Sequence, residues 1–400
     1  MTSILSRLLG AKPGPGMHAP ERKTGFPMLA FHHPGRGLFG EASGVALVRA
    51  GFHRNPVVHR CVRLIAEAAA NVPLALTVDG AEVADHALER LLERPNPRES
   101  GIALLDGVFT QLLLFGNAYL HLISDEEGPR EIHALRPDRV RVVPGADGWP
   151  RGYEYSLGPA RSLIAVEPDG LQPILHLRLA DPLDDHQGYA PLSAAQVPLE
   201  MHEAASRWNK ALLDNSARPS GALVYASPEN LTDLQFDRLK AELEQAFSGQ
   251  SNAGRPILLE GGLDWKPLAL TPKDMDFQEA RNGAAREIAL AFGVPPLLLG
   301  LPGDNTYSNY AEANRAFWRQ TIVPLVRRVS GAMAQWLQPA YAARITLLPD
   351  LDQIEAIAED RTALWKRVSE ASFLTDEEKR GALGYGTAAK PRSARRNGRP

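Results

Sequence analysis

The densest grouping of side chains able to do chemistry is Asp181, Asp184, Asp185 and His186, in the stretch DPLDDHQGYAPLS. Their oxygens and imidazole could surround a divalent cation and activate water for hydrolysis. Aspartate, glycine and proline are also the residues of a hydrophilic turn, where a carboxylate accepts hydrogen bonds from amides just ahead of it, and the turn is the reading adopted. The adjacent His32 and His33 have no defined third and fourth ligand. The single cysteine, Cys61, falls on an apolar helix face and reads as a packing residue rather than a nucleophile. No GxxxxGK loop, HExxH, GxSxG or EF-hand pattern is present. No catalytic, cofactor-binding or metal-ligating residue is therefore assigned, and the chain is not expected to be an enzyme. A metal-assisted hydrolase at 181–186 is the alternative, and it would need Asp184 or Asp185.

A different chemistry is electrostatic. Arg315, Arg319, Arg327 and Arg328 place positive charge along one late helix. On a single copy these read as solvated surface, whereas several copies around a duplex would sum their fields on its phosphates. Just before them, LGLPGDNTYSNY gives a polar loop in which Gly300, Pro302, Gly303, Asp304 and Asn305 form turns without a ladder. Tyr307, Asn309 and Tyr310 could then meet a neighbouring copy or nucleic acid.

These residues need elements to hold them. From Pro56, VVHRCVRLIAEAAANV sets Val58, Cys61, Val62, Ile65 and Ala69 on one helical face, and a second helix near 101–115 presents Ile102, Leu105, Phe109, Leu112 and Leu113. After Gly116 the segments NAYLHLI, EIHALRP, RVRVVP, GYEYSL and ILHLRLA read as strands separated by turns. A long helix is expected over 192–215, bearing Leu192, Ala195, Leu199, Trp208 and Leu212. A small strand–helix–hairpin module follows. Its strand is Ala222–Ala226, its helix starts at Thr232 with Gln235 as capping-box partner, and its hairpin turns at Gly261 and Gly262. A further helix runs from about Asp274 to Phe292 and is stopped by GVPP. The late helix carries Phe317, Val326, Val329, Met333 and Trp336 and should kink or break at Pro324. Another helical stretch spans about 350–370.

Bulk properties fit a soluble α+β chain of several modules. The 400 residues are 44% apolar and 23% charged, with a formal net charge of -3, which excludes wholly disordered, collagenous and strongly basic classes. One cysteine excludes an intrachain disulfide framework and favours a reducing compartment. The longest apolar runs stop well short of the roughly 20 residues that span a bilayer, and MTSILSRLLG is not a signal peptide, so cytoplasmic synthesis without membrane insertion is expected. Residues 1–44 read as an unpatterned arm. The segment 379–400 has Lys379, Arg380, Lys390, Arg392, Arg395, Arg396 and Arg399 and no acid, and reads as a basic flexible tail.

The order LLLFGNAYL, LRPDRVRV, DPLDDHQGYAPL, RPSGAL, LTDLQFDRLK, NAGRPILLEGGLDWKPLAL, EIALAFGVPPLLLG and TYSNYAEAN through FWRQTIVPL resembles the portal proteins of tailed bacteriophages of the Hong Kong ninety-seven type, including those of gene transfer agents. The resemblance covers roughly residues 45–340. It implies a wing over 45–191, paired stem helices at 192–216 and 271–293, a small α/β clip at 217–270 and a tunnel-loop region at 294–311. A long helix and wing completion would follow at 312–344, then a short crown-like helical region at 345–378. It also implies a ring, commonly of twelve copies, at one capsid vertex of the virion. That ring would pass double-stranded DNA and meet large terminase, a head-tail adaptor and the major capsid protein. Arg218, Arg255, Trp265 and Lys266 become candidate clip contacts. The residues from Gly300 to Tyr310 become the candidate tunnel loop, and the four late arginines a DNA-facing or interface set. A structural adaptor without a channel is the alternative within the same non-catalytic class.

Overall fold

The computed structural model describes residues 44–83, 85–214, 221–225, 232, 237–238, 263–267, 277–301 and 307–385, with side chains placed for all of these except 211–214, 221–225, 263–267, 277 and 307–308. The arm expected before residue 44, Gln235 of the expected capping box, the turn at Gly261 and Gly262, and the tail beyond 385 lie outside them.

Helix α1 (Gly44–Gly51) leads through a tight corner into α2 (Pro56–Ala70). Asn55 starts α2 by accepting hydrogen bonds from the amides of Val57 and Val58, and Pro56 occupies a position where its missing amide costs nothing. The face Val58, Cys61, Val62, Ile65 and Ala69 is buried as its spacing requires. Strands β1 (Leu74–Val78) and β2 (Ala81–Glu82) and helix α3 (Ala87–Glu93) come next. Helix α4 (Gly101–Phe115), capped by Ser100 and ended by Gly116 at φ +71°, packs on α2. In α4 the buried side is Leu104, Val108, Phe109, Leu112 and Leu113, whereas Ile102 is 53% exposed, a correction to the expected face.

The extended region forms two three-stranded antiparallel sheets. In one, β3 (Asn117–Asp125) lies between β4 (Gly128–Leu135) and β8 (Ile174–Arg178). In the other, β6 (Pro150–Leu157) lies between β5 (Val140–Pro144) and β7 (Ala160–Ala165). Tyr119, Val142, Tyr153 and Ile174 form a small core where the sheets meet. Each buried side chain of this size contributes on the order of 1.5–3 kcal/mol.

The expected long helix at 192–215 is two pieces, α5 (Pro191–Ala194) and α6 (Gln196–Asp214). Leu192, Ala195 and Leu199 are buried, but Trp208 is 46% exposed and does not join the core. Strand β9 (Gly221–Tyr225) pairs antiparallel with β10 (Leu263–Pro267), Leu223 opposite Trp265. The strand expected after the glycine pair is thus present, and its described partner is 221–225. Helix α7 (Phe277–Phe292) packs along α6, and its Ala284, Ala285 and Ile288 are buried.

Helix α8 (Tyr307–Phe317) continues through a π-helical turn, Trp318–Ile322, into α9 (Val323–Leu337). The kink or break expected at Pro324 takes this form. Proline has no amide for the carbonyl of Gln320 and its ring would crowd it, and the widened turn bonds the amide of Val323 back to Trp318. Strand β11 (Ile345–Pro349) then pairs antiparallel with β1, Leu74 opposite Pro349 and Val78 opposite Ile345. The expectation of a helical region beginning at 345 is therefore corrected for 345–349. Helices α10 (Ala358–Glu370) and α11 (Asp376–Leu383) follow, so regular structure continues beyond 379, where the tail was expected to start. Among the described residues, no helix is long and apolar enough to cross a membrane.

Candidate functional site

The described elements on either side of the expected tunnel loop are anchored in the main core. Helix α7 delivers Ile288, Ala289 and Phe292 to that core, and Gly293 stops the helix at φ +68° while the amide of Val294 reaches the carbonyl of Ala289 at 2.9 Å. One short helical turn, Pro296–Leu299, carries the chain to Gly300, which ends it at a left-handed φ of +71°. On the far side, α8 returns to the core through Phe317 and Ile322. Thr321 Oγ1 donates to the Gly293 carbonyl at 2.7 Å, so the end of α7 and the π-helical turn are tied directly. Pro302, Gly303, Asp304 and Asn305 lie outside the described residues, as does the side chain of Tyr307. Asn309 and Tyr310 are exposed on the first turn of α8.

The late arginines divide into two pairs. Arg315 bonds Glu312 at 2.9 Å and also pairs with Glu359 of α10, while Arg319 stands 3.8 Å from Asp360. These two face carboxylates of their own chain. Arg327 and Arg328, adjacent in α9, are exposed about two turns beyond Arg319. Arg319 and Arg327 also border a cleft of about 640 Å³ walled by β11, α10 and the end of α11. Its floor is a lock between helices. Arg361 bonds Asp352 at 2.5 Å and the carbonyl of Leu383 at 2.9 Å, and the hydroxyl of Tyr385 bonds Asp352. The Arg361 hydrogen bond holds the Asp352 carboxyl below its usual range, and the Asp352 carboxylate pushes the Tyr385 phenol up to about 12. Sequence reasoning did not find this lock.

The aspartate-rich stretch is folded as a turn. Asp181 accepts from the amide of Leu183 at 2.9 Å, and the buried Asp184 accepts from the amides of His186 and Gln187 at 2.7 and 3.0 Å, while Asp185 is exposed. Asn117 Oδ1 then receives the Gly188 amide at 2.9 Å, docking the turn where α4 passes into β3. A Cβ on Gly188 would come within 2.1 Å of the Gly116 carbonyl, so the approach depends on glycine. Among the described residues no group of three or more His, Cys, Asp or Glu is placed to hold a metal ion. Cys61 is fully buried, and burial pushes its thiol up to about 12. Arg218 and Arg255 lie outside the described residues, and Trp265 and Lys266 are placed only as backbone of β10.

The described residues thus form a mixed α/β body in which α7 packs along α6 and its end is tied to the π-helical turn by Thr321 and Gly293. The phage portal protein model matches residues 56–384. The chain belongs to the phage portal protein family. It is 50% identical to a chain in the neck of a native gene transfer agent particle computed with C12 symmetry, covering 88% of this chain and 96% of that one with a TM-score of 0.66. A chain in the neck of an empty particle computed with C6 symmetry matches at the same identity and coverage with a TM-score of 0.68. The probable portal protein of Streptomyces phage phiC31 is 27% identical over 81% of this chain and 73% of its own length.

Proposed function

We propose that twelve copies of this chain close into a ring at one capsid vertex. Double-stranded DNA would enter and leave through that ring, and terminase and a head-tail adaptor would dock on it in turn. The observation that carries this reading is the 50% identity to the gene transfer agent neck across 88% of the chain. Twelvefold symmetry was applied to one such neck and sixfold, a divisor of twelve, to another. In this assignment 45–191 is the wing, the α6 and α7 pair is the stem, 217–270 is the clip and 294–311 is the tunnel-loop region. The crown comprises α10 and α11. A loop with both ends fixed in a core can touch a moving polymer without loosening its mount. Arg327 and Arg328 supply positive charge that no carboxylate among the described residues pairs with, and the slightly acidic whole limits retention of DNA. The capsid protein is the partner expected on the wing.

Imaging of particles assembled with this chain tests the ring, and deletion of 301–306 tests the loop. The expected result is a twelvefold ring in both cases, with less DNA per particle after the deletion. Absence of a ring overturns the portal reading; normal DNA content overturns the loop assignment.

A further inference from the structure

The corner between α1 and α2 carries charge that no carboxylate among the described residues pairs with, apart from those on Arg63. From Ala42 to Ala66 there is no aspartate or glutamate, while Arg49, Arg54, Arg60 and Arg63 fall there with His53 and His59. Arg63 is neutralised by Glu67 at 2.7 Å and Asp106 at 2.9 Å. Arg49, Arg54 and Arg60 are exposed, and none of them pairs with a carboxylate among the described residues.

The corner is also stiff. The amide of Phe52 bonds the Val48 carbonyl at 2.8 Å, and that of Asn55 bonds Gly51 at 2.9 Å. His59 Nδ1 lies 3.1 Å from the Phe52 carbonyl, and its ring stacks on Phe52 at 4.7 Å while His53 meets the same ring edge-on at 5.6 Å. Asn55 occupies the amides of Val57 and Val58, so the corner's anion-attracting groups are side chains rather than helix-end amides. Its amide group contacts His202 Nδ1 at 3.0 Å, which fixes the corner to α6.

Three guanidinium groups on a rigid corner call for an anionic partner. A protein partner would be met by an apolar or aromatic centre, whereas the exposed residues between these arginines are His53, Pro56 and His59. The planar fork of arginine matches phosphate oxygens. We propose that Arg49, Arg54 and Arg60 form a binding surface for the phosphate backbone of duplex DNA, separate from the 301–306 loop and from the arginines of α9. In taking the anion to be DNA the proposal rests on the portal reading; in placing the contact at this corner it needs no channel.

The test is binding of the full chain to a fluorescent duplex of random sequence across a salt series. Each phosphate contact contributes about 0.9 to the slope of log affinity against log salt. Arg49→Gln/Arg54→Gln/Arg60→Gln should lower that slope by between two and three, equally for unrelated sequences, with an unchanged thermal midpoint. Arg327→Gln/Arg328→Gln should leave the corner's share intact. An unchanged slope in the triple variant overturns the proposal. So does loss of binding to polyglutamate or to anionic vesicles with DNA binding retained. Particle imaging keeps the two readings apart: DNA-filled rings with an unchanged slope defeat the corner alone, and a lowered slope without rings defeats the portal reading alone.

Discussion

Thr321 donates its hydroxyl to the carbonyl oxygen of Gly293 at 2.7 Å, joining the π-helical turn of the late helix to the terminus of α7. The same two residues constrain each other sterically, since a Cβ on Gly293 would lie 2.9 Å from Thr321 Oγ1. The pair ties the element that precedes residues 301–306 to the one that follows them.

Thr321→Ala should cost about 1 kcal/mol through the lost hydrogen bond. Gly293→Ala should cost about 2 kcal/mol, because φ +68° strains a side-chain residue and the new Cβ crowds Thr321. In the double variant the crowding disappears while the strain stays, so the two costs should sum to more than the measured loss by at least about 0.5 kcal/mol. Urea midpoints of the four proteins measure this. Simple additivity would show that the residues do not act on each other.

The lock at Asp352 gives a pH dependence with a fixed sign. Its carboxyl is held below the ordinary value near 3.9, so the stabilisation from Arg361 is present above that value and is lost as pH falls through the lowered one. Amide hydrogen exchange over 376–383 should therefore stay protected at pH 5 and lose protection below about pH 4. Asp352→Asn should be weakly protected already at pH 7 and respond little to acid. Equal protection in the two proteins at pH 7 would remove the lock from the account.

Cys61 should resist a thiol reagent in the folded protein at pH 8 and react fully in denaturant, because it is buried and its thiol titrates near 12. Cys61→Ser places a hydroxyl among Val58, Val62 and Ile65 and should lower stability by about 1–3 kcal/mol, read from the thermal midpoint. Rapid labelling of the native chain would contradict the packing.

What the sequence disclosed depends on contrast within each segment. In α2 the apolar positions alternate with His59, Arg60, Arg63 and Glu67, so the buried face is legible. In α4 the run GIALLDGVFTQLLLF is apolar nearly all round, and nothing local distinguishes the exposed Ile102 from the buried Leu104. Five of the six strands from β3 to β8 show alternation or turn residues at their ends; β7, almost wholly exposed, is not legible as a strand, and β11 is a short apolar run whose partner lies some 270 residues earlier. The loop mount was legible in part. GVPP and Gly300 mark where α7 stops and the loop begins, but a threonine hydroxyl meeting a carbonyl leaves no periodic trace. The pairing of Arg315 with Glu359 likewise becomes visible only when α10 packs beside α8.

The pairing of β1 with β11 has a consequence for synthesis. Leu74 is opposite Pro349, so the first sheet among the described residues cannot be completed until everything between has been translated. At about 5–20 residues per second that interval lasts roughly fifteen to fifty seconds. During it β1 lacks the neighbour on one of its edges, and an open strand edge recruits other strands. Nascent chains on one polysome present that edge to each other, so a chaperone that shields Leu74–Val78 until residue 349 emerges would raise the yield of assembly-competent subunits.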